Sequence, residues 1–145
     1  MYDDILLPTD GSEGIAQAAR HAGTLAERFD ATVHVLSVVD TRNRFESPTS
    51  GLSTQAWNEA ETERAEHAIE STLSTLPDDV SVETAVVEGV PKTAILSVVE
   101  DEAMDMVVMG THGRTGLDHY LIGSVTEKVV RQSPVPVVTV RLTDE

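Results

Sequence analysis

The sequence predicts an α/β domain in which five short β-strands alternate with four α-helices and form one open parallel sheet with helices on both faces. Three observations carry this. Apolar runs of strand length recur along the chain and are bounded by turn residues. Between them, apolar residues repeat at helical spacing. The 145 residues suit one domain, 1–145, long enough to bury about two thirds of its unfolded surface.

Each element follows from its own residues. Ile5-Leu6-Leu7 is a short buried strand running into Pro8-Thr9-Asp10-Gly11-Ser12. Ile15, Ala18, Ala19, Ala22, Leu25, Ala26 and Phe29 mark the first helix, with Ser12 as its N-cap. Ala31 to Val39, rich in valine, is the second strand. Thr41 to Thr54 is polar, holds Pro48 and Gly51, and is expected as a long mobile loop. A longer helix starts at Ser53, is marked by Trp57, Ala60, Ala68, Ile69 and Leu76, and ends before Pro77. Val80 to Val87 is the third strand. Pro91 takes a first helical position, with Ala94, Ile95, Val98 and Val99 on one face of the third helix. Met106 to Met109 is the fourth strand, Ser124 to Gln132 the fourth helix and Val135 to Val140 the fifth strand. Pro136 cannot donate to a ladder, which places that last strand at an edge of the sheet.

Charge narrows the partners. Against 25 acidic residues stand 10 basic ones, a formal net charge of −15. Such a surface repels nucleic acid and anionic membranes, so neither is an expected partner. The only lysines are Lys92 and Lys128. Abundant carboxylates with scarce lysine favour a halophile's salt-filled cytosol over a generic acidic protein. No apolar stretch is long enough to span a bilayer, and no basic-then-apolar signal pattern opens the chain, so a cytoplasmic location is expected. The absence of cysteine excludes disulfides, thiol catalysis and cysteine-ligated metal.

The most specific pattern is Gly110-Thr111-His112-Gly113-Arg114-Thr115-Gly116 followed by Gly123-Ser124, directly after the fourth strand. A glycine-rich loop between a buried strand and a helix start brings backbone N–H groups and the helix dipole to an anion, most often a phosphate. Gly110, Gly113 and Gly123 permit positive φ or close approach, and Ser124 and Arg114 add charge-assisted contacts. The plainer alternative is a set of turns, with Ser124 and Glu127 forming a capping box. Ligands of such sheets bind beyond the carboxyl ends of the strands, where strand order reverses. If the first and fourth strands are neighbours, Pro8, Thr9 and Asp10 share a crevice with the glycine loop, bordered by Ser37 to Asp40.

Other constellations weigh less. Asp10 reads either as a metal ligand or nucleophile, or as an Asx-turn residue. His21, His34, His67, His112 and His119 lack ligand spacing. Ser124 has no Gly-x-Ser-x-Gly elbow around it, and a Walker A lysine is absent.

Together these segments resemble the universal stress proteins. Gly110-x-x-Gly113, nine residues and Gly123-Ser124 reproduce that family's nucleotide signature. Ile5 to Ser12, Val87-Glu88-Gly89-Val90-Pro91, Asp105 to Gly110 and Pro134 to Val138 match further family segments over essentially the whole chain. The resemblance implies a fold like the adenine nucleotide alpha hydrolases, with strand order 3-2-1-4-5. It implies ATP, ADP or AMP as ligand with Mg²⁺, and a homodimer joined through Val135 to Val140. It places Asp10, with Pro8 and Thr9, beside ribose or adenine and the backbone of Val38 on the adenine edge. Met109 becomes a pocket wall. Gly110, Gly113, Gly123, Ser124 and Val125 wrap ribose and phosphates, with His112, Arg114 and Thr126 nearby as softer contacts.

Three functions follow as expectations. The first is an ATP-binding stress-response protein acting as a nucleotide-dependent switch. The second is a weak ATPase or nucleotide hydrolase, with His112 or His119 as general base and Asp118 read as a solvent-facing loop residue. The third is a nucleotide-free regulatory partner. No catalytic residue and no protein-held metal is assigned, and any turnover is expected to be slow because the parts phosphoryl transfer needs are missing.

Overall fold

A computed structural model of the protein describes residues 2–12, 14–41, 54–111 and 123–141. Nine elements alternate along it: β1 (Asp4–Pro8), α1 (Ile15–Phe29), β2 (Thr32–Asp40), α2 (Thr54–Leu73), β3 (Ser81–Gly89), α3 (Pro91–Asp101), β4 (Met106–Gly110), α4 (Ser124–Gln132) and β5 (Val137–Val140). All pairings are parallel, and the order is β3-β2-β1-β4-β5. The expected α/β sheet and its strand order are both present, with β5 at an edge. The loop expected at 41–54 lies almost wholly outside the described residues, and so do His112, Gly113, Arg114, Gly116, Asp118 and His119.

The central strands are short and apolar because both faces are covered. Alternation along each strand divides the core in two. Ile5, Leu7, Val33, Val35, Met106 and Val108 face the small residues Ala18, Ala19, Ala22 and Ala26 of α1 and Ile69 of α2. Leu6, Leu36, Val107 and Met109 face Ile95 and Val99 of α3 and Val129 of α4. Trp57, one of the residues that mark α2, is buried with Val39 and Ala65. Ala60, counted with the apolar stripe of α2, is instead exposed, and Ala65 and Thr72 are the buried positions.

Several junctions differ from expectation. Gly14, not Ser12, occupies the N-cap of α1, and Ser12 contributes its carbonyl to the N–H of Ile15 at 3.2 Å. Leu76 lies beyond the end of α2. Pro136 precedes β5 rather than lying in it, and its carbonyl accepts from the N–H of Val107 at 3.0 Å. Pro91 does open α3 at its first turn. Gly23, inside α1, leaves room for a neighbour: a Cβ there would lie 2.7 Å from Cδ of Pro77.

The amino ends of the strands are tied by side chains. One carboxylate oxygen of Asp105 accepts from the backbone N–H of both Asp3 and Asp4, each at 2.9 Å. His34 on β2 reaches across to Asp4 on β1 at 2.8 Å and to Glu83 on β3 at 3.3 Å. These groups hold the end of the sheet opposite the crevice described next.

Candidate functional site

The crevice arises from a mismatch in strand length. β1 pairs with β2 only as far as Pro8 opposite Leu36, and with β4 only through Ile5 opposite Met106 and Leu6 opposite Val107. β2 runs on to Asp40 beside β3, and β4 runs on to Gly110 beside β5. The sheet therefore splits beyond the end of β1, where chain connectivity also reverses direction, the position at which open α/β sheets hold ligands.

Val38 presents the reading edge. In a parallel ladder a residue turns its N–H and C=O toward one neighbour, and the next residue turns toward the other. Thr9 donates its N–H to the carbonyl of Leu36 at 2.8 Å, so Leu36 turns toward β1. Val38, two residues on, turns the same way, and β1 has already ended. Its N–H and C=O face the split with no rung of β1 beside them. The Val38 side chain points the other way and packs, half-buried, on the α3–α4 cluster.

Thr9 and Asp10 form the floor. Pro8 is the last residue of β1. Thr9 is buried, and its Oγ1 accepts from the N–H of Gly11 at 3.2 Å. The Thr72 hydroxyl on α2 lies 2.8 Å from Thr9 Oγ1 and 2.8 Å from the Ala68 carbonyl, which anchors α2 to the exit of β1. One carboxylate oxygen of Asp10 accepts from the N–H of Ser12 at 2.9 Å, so the Asx-turn reading of Asp10 holds. No group of three or more His, Cys, Asp or Glu among the described residues is placed to hold a metal ion.

On the β4 side one of the two roles expected of the glycines, positive φ, is not used at Gly110 and Gly123. Among the described glycines only Gly11 and Gly89 have positive φ, so Gly110 and Gly123 are not there for a left-handed backbone. Gly110 ends β4, paired with Val140. Gly123 is the N-cap of α4 with φ −61° and ψ 153°, and its N–H donates to the Thr111 carbonyl at 2.7 Å. That bond takes the Gly123 N–H away from any phosphate. The capping box is absent, because Ser124 is the first helical residue and Glu127 pairs instead with Arg131 at 3.0 Å. Ser124 is exposed and Val125 half-buried at the start of α4, where first-turn N–H groups lack helical partners. Thr126 is buried, and its hydroxyl donates to the Gly110 carbonyl at 2.8 Å. Met109 is also buried, inside the α3–α4 cluster, so it backs the site from the core.

A wall from α2 completes the crevice. A small open cleft of about 30 Å³ is lined by Asp10, Ser37 to Asp40, and Glu61, Arg64, Ala65 and Ala68. Ser37 and Asp40 belong to the border read from the sequence. Glu61 and Arg64 were not anticipated. The spacing of 61, 64, 65 and 68 places all four on one face of a helix, but does not say that this face meets the crevice.

Comparison with known proteins agrees with this fold. The model of the universal stress protein family matches residues 1–141. Universal stress protein MJ0531 of Methanocaldococcus jannaschii is 36% identical over 146 residues, covering 97% of this chain and 83% of that protein. Universal stress protein MJ0577 of the same organism is 34% identical over 155 residues, covering 97% and 96%. The solved structure of MJ0577 superposes with a TM-score of 0.86 at 33% identity, covering 100% of this chain and 99% of that one. A universal stress protein in complex with cAMP shares the fold at a TM-score of 0.67 and 21% identity, covering 97% of each chain.

Proposed function

The chain belongs to the universal stress protein family, and from that premise we propose that it binds an adenine nucleotide beyond the end of β1, as a nucleotide-dependent switch in a stress response. The observation that carries this reading is the backbone edge of Val38, a donor and an acceptor turned into a split in the sheet with Asp10 on its floor. A purine edge that alternates acceptor and donor fits such a backbone pair. The start of α4, Ser124 and Val125, supplies N–H groups and a positive dipole end for the phosphates. Gly110, Gly113, Gly123 and Arg114 complete the phosphate side in this reading, with His112 beside them. Thr126 acts indirectly, fixing the Gly110 carbonyl. Mg²⁺ enters with the triphosphate, held mainly by phosphate oxygens. Family members in complex with cAMP and with dAMP support the choice of adenine.

The same reading makes the protein a cytoplasmic homodimer joined through β5. Among the described residues, no helix is long and apolar enough to cross a membrane.

The test is direct. Protein purified without added nucleotide is denatured, and the released ligand is identified by mass spectrometry. MgATP is then titrated calorimetrically into nucleotide-free protein at molar KCl. Retained adenine nucleotide or saturable binding is expected. An empty protein that shows no binding at millimolar MgATP overturns the proposal.

A further inference from the structure

Ser37 is 3% exposed and lines the crevice between β2 and α2, and its hydroxyl has no hydrogen-bond partner among the described residues. A buried hydroxyl without a partner is costly, and one that borders an open cavity is placed for a ligand or a water. Opposite it, α2 presents Glu61 with Arg64 one turn further on, paired at 3.5 Å. The Glu61 side chain is 20% exposed, against 58% for Arg64. The carboxylate is thus the more enclosed member of the pair, and the guanidinium restrains it from the solvent side. Ala65 and Ala68 line the cleft beside them.

The backbone of Val38 cannot by itself choose between purines. Its N–H and C=O match the N1 acceptor and 6-amino donor of adenine. Shifted by one position, they match the 6-oxo acceptor and N1–H donor of hypoxanthine equally well. Selection must come from side chains. A carboxylate only accepts hydrogen bonds. It receives the second N–H of a 6-amino group and repels the lone pairs of a 6-oxo group. A serine hydroxyl donates or accepts, so it serves either base.

We propose that Glu61 is the residue that selects a 6-aminopurine over a 6-oxopurine in this crevice, with the Ser37 hydroxyl giving a contact common to both. This rests on the nucleotide reading above and adds a wall from α2 to it. The discrimination is a property of one helix face, separate from the phosphate side of the site.

The experiment compares binding of MgATP and magnesium inosine triphosphate, which differ only in the group at purine position 6 and the proton on N1, by calorimetry at molar KCl. The wild-type protein is expected to favour ATP by about tenfold or more. Glu61→Gln offers a donor to the 6-oxo group and brings the two affinities to within about threefold. Glu61→Ala removes the acceptor without adding a donor, so it narrows the ratio mainly by weakening ATP. Ser37→Ala weakens both ligands by a similar factor and leaves their ratio unchanged. Melting curves confirm that each variant is folded. ATP binding with an unchanged ratio in both folded Glu61 variants overturns this inference and leaves the nucleotide reading standing. A wild-type protein that binds neither triphosphate overturns both.

Discussion

The hydroxyl of Thr126, in the first turn of α4, donates to the carbonyl of Gly110, the last residue of β4, at 2.8 Å. With the Gly123 N–H on the Thr111 carbonyl at 2.7 Å, it clasps the two ends of the glycine-rich segment together. The helix start is held against the strand end whatever lies between them.

Thr126→Val keeps the shape of the side chain and removes this donor. The Gly110 carbonyl then loses its partner in a buried setting, at a cost of about 1–3 kcal/mol. Chemical denaturation followed by circular dichroism is expected to show that loss, while Thr126→Ser retains most of the stability. Equal stability of the wild-type and valine proteins counts against the clasp.

Gly123→Val separates folding from binding. At φ −61° and ψ 153° the backbone accommodates valine without strain, and the N–H bond to Thr111 survives. The fold is expected to lose no more than about 1 kcal/mol, as for an altered N-cap. In the proposed reading the isopropyl group obstructs a phosphate at the start of α4, so MgATP affinity is expected to fall at least tenfold in calorimetry. Wild-type affinity in the folded variant removes Gly123 from the site.

The dimer is tested at one backbone atom. Carbonyls of Pro136 and Val140 accept from Val107 and Thr111 on the β4 side, so the even-numbered residues of β5 turn inward. Thr139 therefore turns its N–H outward, to the open edge, where a second chain would pair. Thr139→Pro deletes that donor and spares the ladder to β4. Light scattering at micromolar protein and molar KCl is expected to give a dimer for the wild type and a monomer for the variant. A wild-type monomer rejects the dimer altogether.

Salt is expected to stabilise the fold. With a net charge of −15, self-repulsion grows as the Debye length lengthens from about 3 Å at 1 M to about 30 Å at 10 mM. The melting temperature should climb steadily with KCl in nucleotide-free protein. A flat response between those limits refutes the halophilic reading of the composition.

The central place of β1 and β4 was legible because local and global signals agree, while the full order 3-2-1-4-5 came from the family resemblance. The runs Ile5 to Leu7 and Met106 to Met109 are too apolar for any place but the centre, whereas Pro136 pointed to the edge for a reason that does not hold, since it precedes β5 and turns inward to Val107. Helix starts were less legible. A serine such as Ser12 or Ser124 looks like a cap by type, yet capping is fixed by the φ and ψ of the junction, and glycine took both positions. Gly23 reads as a weakness in α1 until Pro77 is seen against it, a contact made only by the tertiary fold. The α2 wall stayed hidden because that helix is polar on several sides. Nothing local tells which polar face looks into the crevice and which looks into solvent, and buried Thr72 is disguised in the same way.

The early end of β1 has a consequence for hydrogen exchange. The Leu36 amide sits within the β1–β2 ladder, so its proton leaves only when those strands part. The Val38 amide, two residues on, has no such rung and exchanges without disturbing the sheet. A base seated against it takes the place of the missing strand. Occupancy would then appear as slowed exchange at Val38 with little change at Leu36, read residue by residue in deuterated solvent.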